Sequence, residues 1–185
     1  MSGVVTNPLL VDPLLTAEEN LFAAIRGANP TKTIVPAMVS YAAPVAYTHP
    51  EDPWYNSEIV LTSRPGHRLV GSVALQYHRD NLNVMGSEFN FVYDNVTPLA
   101  DLLPTVALEL GLVPTEVKFD VDDLPYAPVD TDTVTIQLQA TATSLLYLGA
   151  VSIRWTGVAT GPVRVTEDGL LRRLEDGDPR MLDVL

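Results

Sequence analysis

Chemistry on a protein chain needs side chains that attack, move a proton or hold a cation, and here the acidic residues offer most. Asp120, Asp122 and Asp123, followed by Asp130 and Asp132, gather the oxygen donors that a hard cation such as calcium takes as ligands. The spacing departs from a calcium-binding EF loop, because Leu124 fills a ligand position and Pro125 stands where glycine is required. The run therefore reads first as a solvated loop between strands, with Asp120, Asp122 and Asp123 as metal candidates only in second place. Glu175-Asp176-Gly177-Asp178 reads as a turn.

The three histidines, His49, His67 and His78, lack the spacing that puts two ligands on one helical face, so a zinc site is not expected. His49 with Glu51 and Asp52 could form a loop metal or catalytic cluster, but three polar residues beside two prolines read first as a solvated loop, and His78 with Arg79 follows a strand tyrosine and reads as an exposed strand end. Gly71-Ser72 and Gly86-Ser87 are bare dipeptides without the G-x-S-x-G elbow, and no phosphate-binding glycine frame occurs. The absence of cysteine removes disulfides, thiolate chemistry and cysteine zinc sites together. Asn95-Val96-Thr97 fits a glycosylation sequon, but Thr97 is better placed to cap a helix. No catalytic residue and no cofactor is expected. Trp54 and Tyr55 fit a core or subunit-interface role ahead of stacking on a sugar.

The elements that must position these residues follow from pattern. An apolar fraction of 46% with 18% charged residues is enough for a core, and the net charge of -12, from 23 acidic against 11 basic residues, repels phosphate backbones. No nucleic-acid partner is expected. Nor is a membrane, since no apolar run approaches a span and the N-terminus has no signal-like basic region. Thr16-Ala17-Glu18-Glu19 has the spacing of a capping box and predicts a helix from Ala17 to Arg26, with Leu21, Phe22 and Ile25 on one face and Gly27 as a left-handed stop. A β-hairpin is predicted over 57–79, turning at Arg64-Pro65-Gly66, and a further strand over 88–93. A second helix runs to Gly111, starting either at Thr97-Pro98 or near Asp101, the latter placing Pro104 in its first turn. Strands follow around Val117, Ile136 and Val151.

The halves repeat an order of parts. Gly27-x-x-Pro30 answers Gly111-x-x-Pro114, Val39-x-Tyr41 answers Val117-x-Phe119, Ile59-x-Leu61 answers Ile136-x-Leu138, and the strand from Gly71 to Tyr77 answers that from Gly149 to Trp155. The expected fold is α+β and β-rich, two similar helix-plus-hairpin units from a possible internal duplication: an N-terminal arm over 1–15, units over 16–94 and 95–160, and a C-terminal arm over 161–185. About seven extra residues before the first hairpin would place His49 to Asn56 in an insertion.

Asn56-x-x-Ile59-Val60-Leu61-Thr62, Gly71-Ser72-Val73-x-Leu75-x-Tyr77-x-Arg79-x-x-Leu82 and Leu145-Leu146-Tyr147-Leu148-Gly149-x-Val151-x-Ile153 resemble an uncharacterised family of virion structural proteins of large tailed bacteriophages, over about 16–157. The resemblance implies a non-enzymatic particle component, in capsid decoration, as a minor capsid protein, or in the neck or tail. Its location would be the virion, assembled in the host cytoplasm, and its partners other virion proteins and copies of itself. Trp54, Tyr55 and the arm residues Leu9, Leu10, Leu182 and Leu185 are the interface candidates. The alternative is a β-rich carbohydrate- or receptor-binding module.

Overall fold

The computed structural model describes residues 9–31, 34–48, 54–67, 70–86, 89–94, 99–120, 133–158, 163–165 and 171–173. Helix α1, Ala17–Ala28, starts on the predicted capping box: Thr16 Oγ1 accepts the Glu19 amide at 3.2 Å and Glu19 Oε2 accepts the Thr16 amide at 2.8 Å. The Thr16 amide, together with the Thr16 hydroxyl that donates to the same oxygen at 2.8 Å, holds the Glu19 carboxyl below its ordinary pKa. Leu21, Phe22 and Ile25 are buried on its inner face. Its stop differs from expectation, because Gly27 lies within the helix and Asn29 is the cap. The Asn29 side chain donates to the Ile25 carbonyl at 2.9 Å, satisfying a terminal carbonyl without a left-handed glycine.

A 3-10 turn, Pro36–Met38, leads into β1, Val39–Tyr41, followed by β2, Val45–Ala46, β3, Ser57–Ser63, and β4, Ser72–Tyr77. β3 is central, with β1 and β2 on one side and β4 on the other, all antiparallel. β5, Asp80–Asn81, a 3-10 turn over Leu82–Val84 and β6, Phe89–Asp94, come next. The 57–79 hairpin and the 88–93 strand are thus present, with Gly66 at φ 88° in the turn.

Helix α2, Leu103–Glu109, carries Pro104 in its first turn, the later of the two predicted starts; Thr97 and Pro98 lie outside the described residues. It ends as predicted on Gly111 at φ 72°, where the Leu112 amide reaches back to the Ala107 carbonyl at 2.7 Å and that of Gly111 to Leu108 at 3.0 Å. A 3-10 turn, Pro114–Glu116, then leads into β7, Val117–Phe119, with β8, Thr133–Ala140, β9, Tyr147–Leu148, and β10, Ala150–Val158. The second sheet has the order β6-β10-β8-β7, parallel only between β6 and β10. β5 and β9 form a short parallel pair, and β11, Val163–Val165, pairs antiparallel with β12, Leu171–Arg173.

Matching backbone bonds recur in the two sheets. Met38 donates to Val35 and Glu116 to Val113, each at 3.0 Å; Ser63 donates to Gly71 at 3.0 Å and Ala140 to Gly149 at 2.9 Å; Arg64 donates to Met38 at 2.9 Å and Thr141 to Glu116 at 2.8 Å. Tyr41 is paired with Leu61 as Phe119 is with Leu138, and Ile59 with Leu75 as Ile136 with Ile153. These positions correct one sequence pairing, since the proline that answers Pro114 at the head of the 3-10 turn is Pro36 and not Pro30. They also move the extra length. The chain from Tyr41 to Leu61 is only one residue longer than from Phe119 to Leu138, so the surplus lies between α1 and Pro36 and not at His49 to Asn56. Residues 89–94, expected within the first unit, are hydrogen-bonded into the second sheet.

One apolar core joins both sheets, with Ile59, Leu61, Leu75 and Tyr77 from the first and Ile136, Leu138, Val151, Ile153 and Trp155 from the second. Trp155 lies between the rings of Phe91, at 5.6 Å, and Phe119, at 6.1 Å.

Candidate functional site

The halves meet at a buried polar seam. Arg79 is only 5% exposed; its Nε donates to Ser57 Oγ at 2.6 Å and its NH1 to the Ser144 carbonyl at 2.9 Å. Asn56 clamps the backbone of Arg79 from both sides, accepting its amide and donating to its carbonyl, each at 2.8 Å. On the other side Glu116, also buried, accepts from Ser144 Oγ at 2.8 Å and from the Leu145 amide. Tyr77 donates its hydroxyl to the Leu145 carbonyl at 3.0 Å, and the Tyr147 hydroxyl accepts the Val113 amide at 3.0 Å. Burial pulls the Arg79 pKa down against the pull of Tyr77 and Glu116, and pushes the Tyr147 phenol up to about 12. Buried donors and acceptors left unmatched each cost about 1–3 kcal/mol, so this mutual satisfaction fixes how the halves sit together.

Beside the seam lies an open groove of about 710 Å³, lined by Leu9, Leu10 and Val11 from the N-terminal segment, His78 and Asp80 from the end of the first hairpin, and Met85, Leu110 and Tyr147 among others. His78 Nδ1 is 2.8 Å from the Trp54 carbonyl, which as an acceptor requires a proton on Nδ1. Asp80 sits at the exposed lip, where the protein packed around its carboxyl raises the pKa and the neighbouring His78 opposes the rise. Among the described residues, no hydroxyl is hydrogen-bonded to His78 and no three metal-ligating side chains converge.

The sequence candidates separate here. Leu9 is buried in the core, whereas Leu10 is 92% exposed at the groove. Trp54 is 79% exposed, which removes its core reading, and Tyr55 is half-buried. Asp120 is exposed and tied to β8, its carboxylate accepting the Gln137 amide at 3.1 Å while its own amide donates to the Gln137 carbonyl at 2.9 Å. Asp122, Asp123, His49, Leu182 and Leu185 lie outside the described residues. Arg79, expected at an exposed strand end, is instead buried. The signal was in the alternation: Leu75, Tyr77 and Arg79 share the parity of the inward face, and a buried Arg needs partners of the kind that Asn56-Ser57 supplies.

A family model described as a family of unknown function, DUF7941, matches residues 12–158. The chain belongs to that family. The match opens at Asp12, whose amide is accepted by the Asn20 side chain at 2.8 Å, and closes at Val158, the last residue of β10, so the DUF7941 region contains both sheets, the seam and most of the groove. No curated protein and no solved structure matches the chain.

Proposed function

We propose that the chain is a non-enzymatic structural component of a tailed-phage virion, in capsid decoration, as a minor capsid protein, or in the neck or tail, built from two copies of one helix-plus-hairpin unit and acting by protein-protein packing through its body and terminal arms. The observation that carries this reading is the seam. Arg79, Glu116 and Tyr77, side chains equipped for chemistry, are committed to holding the halves together, while Leu10, Trp54, Val70 and Val84 project large apolar surface outward. The matching backbone bonds, strand registers and positive-φ glycines Gly71 and Gly149 support the two-unit description. The resemblance of the strand motifs to virion proteins supports the location. Mass spectrometry of density-gradient-purified particles is expected to find the chain at a fixed copy number; its confinement to the soluble fraction of the lysed host would end the virion reading.

Trp54 favours a second reading, a β-rich carbohydrate- or receptor-binding module, because an indole 79% exposed beside His78 presents a flat apolar face. A glycan array probed with the full chain distinguishes the two, since a signal lost in Trp54→Ala would favour the module.

A further inference from the structure

The groove beside the seam gathers apolar side chains that the fold leaves uncovered. Leu9 is turned into the core, so its neighbour Leu10 projects outward, and Val84, which lines the same groove, is 79% exposed. Met85 and Leu110 add half-buried apolar surface. Exposed apolar residues scattered singly need no explanation, but these share one concavity of about 710 Å³, within the range of sites that enclose a ligand or a partner's side chains.

One carboxylate stands in this apolar wall. The backbone of Asp80 is fixed, since its amide donates to the Leu146 carbonyl at 2.9 Å and its strand is paired with that of Tyr147. Its carboxylate, among the described residues, has neither a hydrogen bond nor an ion pair. The protein packed around it raises its pKa, and the group that opposes the rise is His78 and not a Lys or Arg. A cation placed there would stabilise the charged form. The whole chain, at a net charge of -12, draws basic partners in and holds acidic ones off.

The backbone along the groove is also unused. Leu10 and Val11 belong to no helix or strand, and among the described residues their amides and carbonyls make no hydrogen bond. They are anchored just beyond, where the Asn20 side chain accepts from the Asp12 amide at 2.8 Å and donates to the Asp12 carbonyl at 3.0 Å. An anchored backbone with free donors and acceptors suits a strand-like peptide.

We infer that the groove takes a short extended segment of a second protein in which an apolar side chain is followed two places later by Lys or Arg. The strand period of two puts both side chains on one side of such a segment. The apolar one lies among Leu10, Val84 and Leu110, the cation meets Asp80, and the segment's backbone pairs with Leu10 and Val11. This deepens the packing reading above by giving the partner's chemistry, and it rests on that reading only in taking the partner to be a protein.

Titration of the nitrogen-15-labelled full chain with synthetic peptides, followed by amide chemical shifts, tests it. The probes are acetyl-Ser-X-Ser-Lys-Ser amides with Leu, Met, Phe or Val at X, each with a twin that has Glu in place of Lys. Shifts are expected at residues 9–11, 78–85 and 110–112, with the Lys peptides about three- to fivefold tighter than their twins and the preference shrinking in added salt. Asp80→Asn is expected to abolish the preference and to leave the apolar contact. Leu10→Ser, at a side chain almost wholly exposed in the free chain, weakens both twins alike and serves if the first variant folds poorly. Twins that bind equally, a preference that survives Asp80→Asn, or shifts that miss the groove would overturn the inference. So would groove shifts that change on dilution without peptide, which would give the groove to a second copy of the chain. Presence of the chain in purified particles is read separately, so failure of the virion reading and failure of this one are told apart.

Discussion

Gly71 and Gly149 occupy equivalent turns, both at positive φ and both accepting the amide of the strand opposite, yet one faces open space and the other is packed against two asparagines. The backbone of each turn is set by its own sheet. What surrounds it differs, because Asn81 and Asn83, which follow β4 in the chain, reach β9 and the start of β10. The two sheets are thereby unequal: β10 has β6 on its outer side, whereas β4, among the described residues, has no strand there.

Substitutions at equivalent positions sharpen that inequality. The largest effect is expected at Glu116, whose backbone bonds are matched in the first sheet by those of Met38. Glu116→Met makes the two sheets alike there but leaves Ser144 Oγ and the Leu145 amide without their acceptor. A loss of about 2–4 kcal/mol is expected in urea unfolding, and a cost below that of a surface substitution would mean that the seam does not hold the halves together. Gly149→Ala comes next. It adds the strain of positive φ to a clash with Asn83, whose Oδ1 accepts the Ala150 amide at 2.9 Å, and about 2–3 kcal/mol is expected. Gly71→Ala carries only the strain, about 1 kcal/mol. Equal losses in thermal melts would remove the difference between the turns. The smallest effect separates the two helix starts, since α1 has its capping box and α2 begins at Leu102 with no side-chain cap. Thr16→Ala is expected to cost about 1 kcal/mol at neutral pH. Because the folded pKa of Glu19 lies below its unfolded value, its stabilising share is present above the unfolded pKa and is lost as pH falls through the folded one. The gap between wild type and Thr16→Ala should therefore narrow in acid.

Much of this architecture was legible because local rules and tertiary demands agreed. Thr16 and Glu19 form the box their spacing predicts, and Gly111 ends α2 in the left-handed conformation that glycine adopts freely. Gly27 misled because a helix can run through glycine when a following asparagine is able to cap it. The seam was only half legible: the parity of Arg79 pointed inward, but Ser144 and Glu116 lie far along the chain and no spacing rule joins them to it. Nor could alternation say that β6 would pair with β10, since a period of two names the buried face of a strand and not the neighbour it bonds.

The crossing of β6 into the second sheet also sets an order of events at the ribosome. The first sheet has all its strands once Tyr77 has emerged, whereas Phe89 meets its partner Ile153 only about sixty residues later. At synthesis rates of about 5–20 residues per second, that is a wait of roughly 3–12 s with Phe89 and Phe91 unpartnered. Over that interval β6 has the apolar residues of a strand but not the neighbour that will bond it, so the second sheet is completed only at the end of the matched region.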